Sequence, residues 1–517
     1  MTPYLTCLCL LLLGGCATID LAKIERPVSQ ALHLPSDTRL KGRYKDARAE
    51  HGGHSGFRLI DNGLEALSIR LELIDQAEKT LDLQYYILRS DISGLILLDH
   101  LLAAADRGVR IRILIDDLHF DKSGASLRDL DTHPKVEVRI INPFLYRHSL
   151  LLGRIFEILS DFGRVQRRMH NKLFIADNAV AIVGGRNLGD EYFEAHPRLD
   201  LRDLDLLTVG PVVPQLSASF DAYWNFEKTL PVAAIARHSS EEKRLHNLRR
   251  LLQNHKQRSD VTDYLQEVAA PPASPWKMIW AKGAVLADFP CKLTPEQPHC
   301  ASLHFERFYG LFGKADFELM IISPYFIPGK DGIALFRHLR ENKVRIRILT
   351  NSFAATDLKI VQAGYNRYRR SLLDEQVELY EFKPTFPLSH TRREKRSAFG
   401  GPSQACMHAK AYVIDGKQVF VGSFNHDPRS ATLNTEVGIL IDSSELAAQL
   451  KTLFDRYTEP QNSYRLKLKP WKDGRKKLVW QTEEEGNMCT FHQEPLTSWW
   501  QHLKNALMAI FAPEDLL

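Results

Sequence analysis

Metal-binding cysteine patterns are missing from this chain. Its seven cysteines (Cys7, Cys9, Cys16, Cys291, Cys300, Cys406 and Cys489) include no Cys-x2-Cys pair with matching histidine spacing, so a zinc site has no support in the sequence. Charge of one sign is scarce. The net charge of +5 over 517 residues is too small to argue for nucleic acid or a membrane surface without local clustering. The N-terminal apolar stretch, Leu5 to Leu13, falls short of the roughly 20 residues that a membrane-spanning helix needs. What is present is a globular composition, 44% hydrophobic and 25% charged, which excludes wholesale disorder. The length is enough for several cored domains.

The apolar stretch runs into Gly14, Gly15, Cys16 and Ala17 and reads as a secretory leader with a small-residue cleavage site. Leu13-Gly14-Gly15-Cys16 resembles the bacterial lipobox. That resemblance implies an acylated Cys16 on a periplasm-facing lipoprotein of a Gram-negative bacterium, with Ala17 favouring the outer membrane. No Lys or Arg precedes the apolar run, so a plain signal peptide is the alternative. Cys291 and Cys300 share a Pro-containing loop; they are either two free thiols or, in an oxidising compartment, a disulfide.

The chain repeats itself. Arg168-Met169-His170-Asn171-Lys172-Leu173-Phe174-Ile175-Ala176-Asp177 matches Cys406-Met407-His408-Ala409-Lys410-Ala411-Tyr412-Val413-Ile414-Asp415. Six residues then lead to Gly184-Gly185-Arg186-Asn187 and to Gly422-Ser423-Phe424-Asn425. Val109 to Leu114 recurs letter for letter as Val344 to Leu349, and Gln84-Tyr85-Tyr86-Ile87 pairs with Pro324-Tyr325-Phe326-Ile327. Helical periodicity over 63–79 and 94–105, with strands at 81–87 and 109–115, makes the first half α/β. The second half repeats this with strands at 319–322 and 344–349 around a helix at 332–340. The expected units are a leader (1–15), a polar tether (16–50), half one (51–238), a charged linker (239–275), half two (276–460) and a basic extension (461–517).

Read as a strand, 169–176 puts His170, Lys172 and Phe174 on one face, and 407–414 does the same for His408 and Lys410. Asp177-Asn178 and Asp415-Gly416 are hairpin-turn signals, so the returning strands bring Asn187 and Asn425 back toward the histidines. Two ammonium groups and two amides suit the oxygens of a phosphodiester. One neutral histidine suits attack on phosphorus, and a second suits proton transfer to and from the alcohols. This set calls for no metal.

His-x-Lys-x4-Asp followed by Gly-Gly/Ser-x-Asn, present twice, identifies the chain as resembling the phospholipase D superfamily. It is most similar to the bacterial cardiolipin synthase C type, in Asn142-Pro143-Phe144, Leu349-Thr350-Asn351-Ser352, His426-Asp427-Pro428-Arg429-Ser430, Leu433-Asn434-Thr435-Glu436 and Glu494-Pro495-Leu496-Thr497-Ser498-Trp499-Trp500. The resemblance implies two tandem α/β sandwich halves related by a pseudo-two-fold axis, with the active site at their interface. It implies no cofactor. The implied activity moves a phosphatidyl group from phosphatidylethanolamine or phosphatidylglycerol onto phosphatidylglycerol; a hydrolytic phospholipase D is the alternative. By the same resemblance His170 is the nucleophile and His408 the acid/base, although the two motifs are chemically alike. Lys172, Lys410, Asn187, Asn425 and Ser423 would hold phosphate or water; Asp177 and Asp415 belong to the catalytic motif, but their turn positions suggest a structural role more than a chemical one. Glu436 stands where the family places a histidine-orienting carboxylate; Asp205 is the candidate in half one, with Asp203 competing.

Expected partners are phospholipids and a membrane surface rather than nucleic acid, and an accessory protein stays open. Arg392, Arg393, Lys395 and Arg396 form a basic run that is either a lipid-touching loop or a solvated one. Residues 464–480 interleave cations with Trp471 and Trp480, which suits a membrane interface better than nucleic acid for a lipid enzyme. The apolar face of 499–511 lies either on a bilayer or on the core.

Overall fold

The computed structural model describes residues 24–32, 38–122, 124–144, 157–235, 241–268, 276–296, 309–385, 404–471, 474–501 and 503. Cys16, Cys300 and the basic run at 392–396 lie outside them. After a first strand, β1 (Ser55–Ile60), helix α1 (Gly63–Gln76) starts where the Asn62 side chain accepts the Glu65 N–H. It stops three residues short of the expected 79. The amides of Glu78, Lys79 and Thr80 are taken by the Asp177 carboxylate instead of by helix carbonyls. Strand β2 (Thr80–Tyr85) follows, then α2 (Ile92–Asp106), capped by Asp91 and closed by Gly108 at φ 94°. Half one continues with β3 (Arg110–Asp116), β4 (Val136–Ile141), β5 (Leu173–Ala176), β6 (Val180–Gly184), β7 (Leu199–Arg202), β8 (Asp205–Val209), α3 (Val212–Trp224) and β9 (Thr229–Pro231).

Half two repeats this order, except that its crossing strand comes before the motif strand rather than after the returning one. It has β10 (Ile279–Ala287), β11 (Glu318–Ile322), α4 (Gly329–Glu341), β12 (Arg345–Asn351), β13 (Glu378–Phe382), β14 (Gln404–Met407), β15 (Ala411–Ile414), β16 (Gln418–Gly422), β17 (Val437–Asp442) and α5 (Ser444–Tyr457). In half one β4, β3 and β2 run parallel, and β5, β6, β8 and β1 continue antiparallel. The matching strands β13, β12, β11, β15, β16, β17 and β10 have the same pattern. The Asp415 carboxylate likewise takes the amides of Asp316, Phe317 and Glu318. Both motif aspartates therefore anchor the loop before the strand beside them, as their turn positions implied.

Hydrogen-bond register corrects one sequence pairing. Leu81 faces Ala176 and Leu319 faces Ile414, so these residues are equivalent. The bridges of Leu88 with Leu188 and of Phe326 with His426 confirm it. Tyr325 is thus the counterpart of Ile87, not of Tyr85.

Backbone pairing joins the halves. β1 pairs antiparallel with β10, which makes one continuous 18-stranded sheet. β7 pairs parallel with β14, chain to chain across the halves. A single apolar cluster runs through both, with Leu114, Met169 and Phe220 packed among the same set as Met320, Met407 and Phe454. The expected linker is a helical pair docked on half one: Leu248, Leu252, Val261 and Tyr264 belong to that half's core. The tether is docked too, since the Ser29 and Pro27 carbonyls accept from Arg112 and Arg139.

The basic extension continues the sheet of half two through β18 (Ser463–Pro470), β19 (Lys476–Glu484) and β20 (Asn487–Phe491), attached at β13. Alternation at Arg465, Lys467 and Lys469 marks an exposed face of β18, which lies between β13 and β19. Among the described residues no helix is long and apolar enough to cross a membrane. Cys291 is disulfide-bonded, while Cys406 and Cys489 are free thiols.

Candidate active site

The His-x-Lys segments are not one strand, as alternation suggested. Each chain breaks at the histidine. Upstream residues pair with the opposite half and downstream residues join their own sheet. In half one, the His170 N–H donates to the Thr435 carbonyl at 2.9 Å, and the Thr435 N–H donates to the Arg168 carbonyl. In half two, β14 ends at Met407 and the His408 N–H donates to the Arg202 carbonyl at 2.7 Å. Asp116 accepts the Met169 N–H, and Asn351 both accepts the Met407 N–H and donates to the Met407 carbonyl, so each crossing segment is held from below.

The crossing exchanges the carboxylates. Glu436 of half two lies 2.9 and 3.1 Å from Nδ1 of His170 in half one. Asp203 of half one lies 2.5 Å from Nδ1 of His408 in half two. With Nδ1–H donated to a carboxylate, each imidazole keeps Nε2 for chemistry. The ammonium of Lys172 donates to the His170 carbonyl at 2.6 Å, and that of Lys410 donates to the His408 carbonyl. All six of these side chains are buried. Tyr86 stands edge-on to His170 at 5.3 Å between centroids, and Tyr192 to His408 at 5.4 Å.

Asp205 is not the half-one brace. Register explains why: Gly184 faces Asp205 and Gly422 faces Gly438, so Asp205 matches Gly438 and Asp203 matches Glu436. Asp205 instead sits 2.8 Å from Arg70 and 3.3 Å from Arg186, all three buried. Ser423 is also placed differently from expectation: its hydroxyl donates to Glu436, and its N–H to the Val437 carbonyl. The Gly185/Ser423 difference follows from carboxylate length. A Cβ on Gly185 would meet Asp203 Oδ1 at 2.0 Å, so the shorter aspartate fills the space that Ser423 occupies beside the longer Glu436. The asparagines differ as well. Asn187 accepts from the Ile87 N–H and donates to the Tyr192 hydroxyl, whereas Asn425 Oδ1 is buried with no protein partner.

Glu436 carries further bracing that the motif did not reveal. Ser430 Oγ donates to it at 2.8 Å. Its N–H donates to Asp288, whose carboxylate is also held at 2.8 Å by Lys292, and Lys292 donates to the Ser430 carbonyl. No periodicity links residues 288–292 with 430–436, so the contact was invisible in one dimension.

The charges form one field. Burial depresses His170 well below its usual range, and Lys172, Lys410 and His408 push the same way. Burial also lowers His408, with Lys410 adding and Asp203 opposing. Burial lowers both lysines, against the carboxylates of Glu436 and Asp203. Burial favours a neutral Asp203, but His408 and Lys410 win and hold it below the usual carboxylate range. Burial pushes Glu436 up to about 7, against Lys172, Ser423, Ser430 and Lys292. Buried ammonium groups so depressed are stabilised by an anion placed between them.

Lys292→Met removes one of the charges that hold Glu436 down, so its carboxyl rises further. Activity that needs the carboxylate is then lost earlier as pH falls. The acid limb of kcat/KM should move upward by about half to one pH unit. A limb that stays in place would remove Lys292 from the electrostatics of His170.

A duplicated α/β fold with paired His-Lys segments at its junction defines the phospholipase D class. The family described as "Cardiolipin synthase, PLD-like domain" matches residues 71–224 and 310–458. Cardiolipin synthase C of Escherichia coli (strain K12) is 38% identical over 475 residues, 91% of this chain and 98% of its own. An uncharacterized protein of Helicobacter pylori is 31% identical over 516 residues, 97% of each chain. The crystal structure of phosphatidylserine synthase from Haemophilus influenzae shares the fold, with a TM-score of 0.52 at 15% identity over 82% of this chain and 92% of that one. The chain belongs to the cardiolipin synthase family of phospholipase D-like phosphatidyltransferases.

Proposed function

We propose that this enzyme makes cardiolipin, taking a phosphatidyl group from phosphatidylethanolamine or phosphatidylglycerol and passing it to the glycerol headgroup of phosphatidylglycerol. The observation that carries the reading is the exchange of carboxylates, Glu436 to His170 and Asp203 to His408, which makes the two motifs one site. Burial and the charges of Lys172, Lys410 and His408 all favour a neutral His170, which suits it as the nucleophile. Asp203, 2.5 Å away, opposes the burial and the Lys410 charge that lower His408, and so favours His408 as the histidine that carries a proton.

In the first step Nε2 of His170 attacks phosphorus and the headgroup oxygen leaves with a proton from His408. In the second step the glycerol hydroxyl of phosphatidylglycerol gives its proton to His408 and attacks phosphorus, which frees His170. Lys172 and Lys410 neutralise the non-bridging oxygens, and Asn425, with its free Oδ1, is the asparagine best able to turn its amide toward them. Such lipids stay in a bilayer, so the enzyme works at a membrane surface. Acylation of Cys16 would tether it there, facing the periplasm from the outer membrane. The disulfide at Cys291 agrees with an oxidising compartment.

Mixed vesicles of phosphatidylglycerol and phosphatidylethanolamine test the reading. Cardiolipin as the main new lipid is the expected product. Phosphatidic acid alone would make the enzyme a hydrolase that uses water as acceptor.

A further inference from the structure

A path of side chains leads from the site to the surface of half two. Tyr325 stands edge-on to His408 at 6.5 Å, and its hydroxyl donates at 2.9 Å to Asp357, which is exposed. The next residue, Leu358, is 42% exposed. Tyr325, Ile360 and Tyr368 pack on one small apolar cluster with Ile327 and Val361, and Arg369, the residue after Tyr368, pairs with Glu494, which brings the C-terminal segment to the same rim. Glu494 is tied down by an ion pair with Arg369. Just past it Leu496, Trp499 and Trp500 are 63, 67 and 65% exposed, and the two indoles touch edge to face at 4.7 Å. Burial is the usual fate of such side chains, so an open cluster of this kind marks a surface that something covers.

The cover is identified by what surrounds it. The short helix that carries Arg369 also carries Arg370, which donates to the Lys476 carbonyl at the tip of the β18–β19 hairpin. That tip bears Arg475 and Lys476, both exposed, and Trp471, with Lys477 over its ring at 4.3 Å. Asp374 is the acidic neighbour, 3.9 Å from Lys476. Indoles flanked by cations match the interface of an anionic bilayer, where the rings sit at headgroup depth and the cations meet phosphates.

We infer that this rim, with Leu358, Leu496, Trp499 and Trp500 at its centre, inserts into the surface of an anionic phospholipid bilayer and seats the Tyr325–Asp357 side of the site, next to His408, on the headgroups. The inference rests on the lipid reading of the site and adds the surface through which substrate arrives. A lipid whose acyl chains stay in the bilayer then has only its phosphate to lift toward the buried histidines.

Vesicles of phosphatidylglycerol and phosphatidylethanolamine with brominated acyl chains provide the test, because bromine quenches only inserted indoles. The full-length enzyme should show quenching, and the Trp499→Ala/Trp500→Ala variant should lose most of it. Vesicle turnover by the variant should fall by about tenfold, while turnover of short-chain phosphatidylglycerol dispersed in water stays near wild type and reports a folded site. Equal quenching of both proteins, or none in either, would overturn the inference, and the latter result would turn the rim into a protein-docking surface. Failure of the wild type to turn over either lipid form would strike the proposed activity instead, and quenching would still decide the fate of the rim.

Discussion

His170→Ala and His408→Ala should each cut phosphatidyl transfer by about 10,000-fold or more, because each histidine has its own indispensable part in the proposed cycle. The two variants should fail at different steps. With a donor whose leaving alcohol needs no proton, His408→Ala should still form a covalent phosphatidyl adduct on His170, visible as a mass increase on that peptide. His170→Ala should form none. An adduct on His408 would reverse the assignment, and substantial turnover by either variant would refute a shared site.

The second large effect separates two aspartates that lie two residues apart. Asp203→Asn should lower kcat by about 1,000- to 10,000-fold with little loss of stability, because the amide no longer fixes the His408 tautomer or faces an imidazolium with charge. Asp205→Asn should do the reverse. It leaves Arg70, buried and 2.8 Å away, facing an amide in place of a charge, at a cost of about 3 kcal/mol in urea unfolding. Its folded fraction should turn over lipid at close to the wild-type rate. Interchanged phenotypes would mean that the exchange of carboxylates is wrong.

Spacing from the motif does not separate these two aspartates in the sequence. Counting forward from Asn187 fails because the connection to β7 is longer than its counterpart after Asn425. Counting back from the glycine pairs of β6–β8 and β16–β17 succeeds, because hydrogen bonding fixes equivalence there. Letter similarity misled in the same way at Tyr325. The repeated motif, the alternation of helices and strands, and the turn role of Asp177 and Asp415 were legible because they are local. The break at each histidine was not: strand periodicity is the same whichever sheet a residue joins. Lys292 and Ser430 became part of the site only because the halves pack as they do, and Ser423 changed role once Glu436 was seen to need a donor.

The interlock of the two halves also sets the route of traffic. Parting them would strip His170 of Glu436 and His408 of Asp203 in one motion, and would tear the β7–β14 ladder with them. A clamshell that opens and shuts around each lipid is therefore ruled out as a working cycle. Whatever reaches or leaves the buried histidines must therefore pass with both carboxylates still in place.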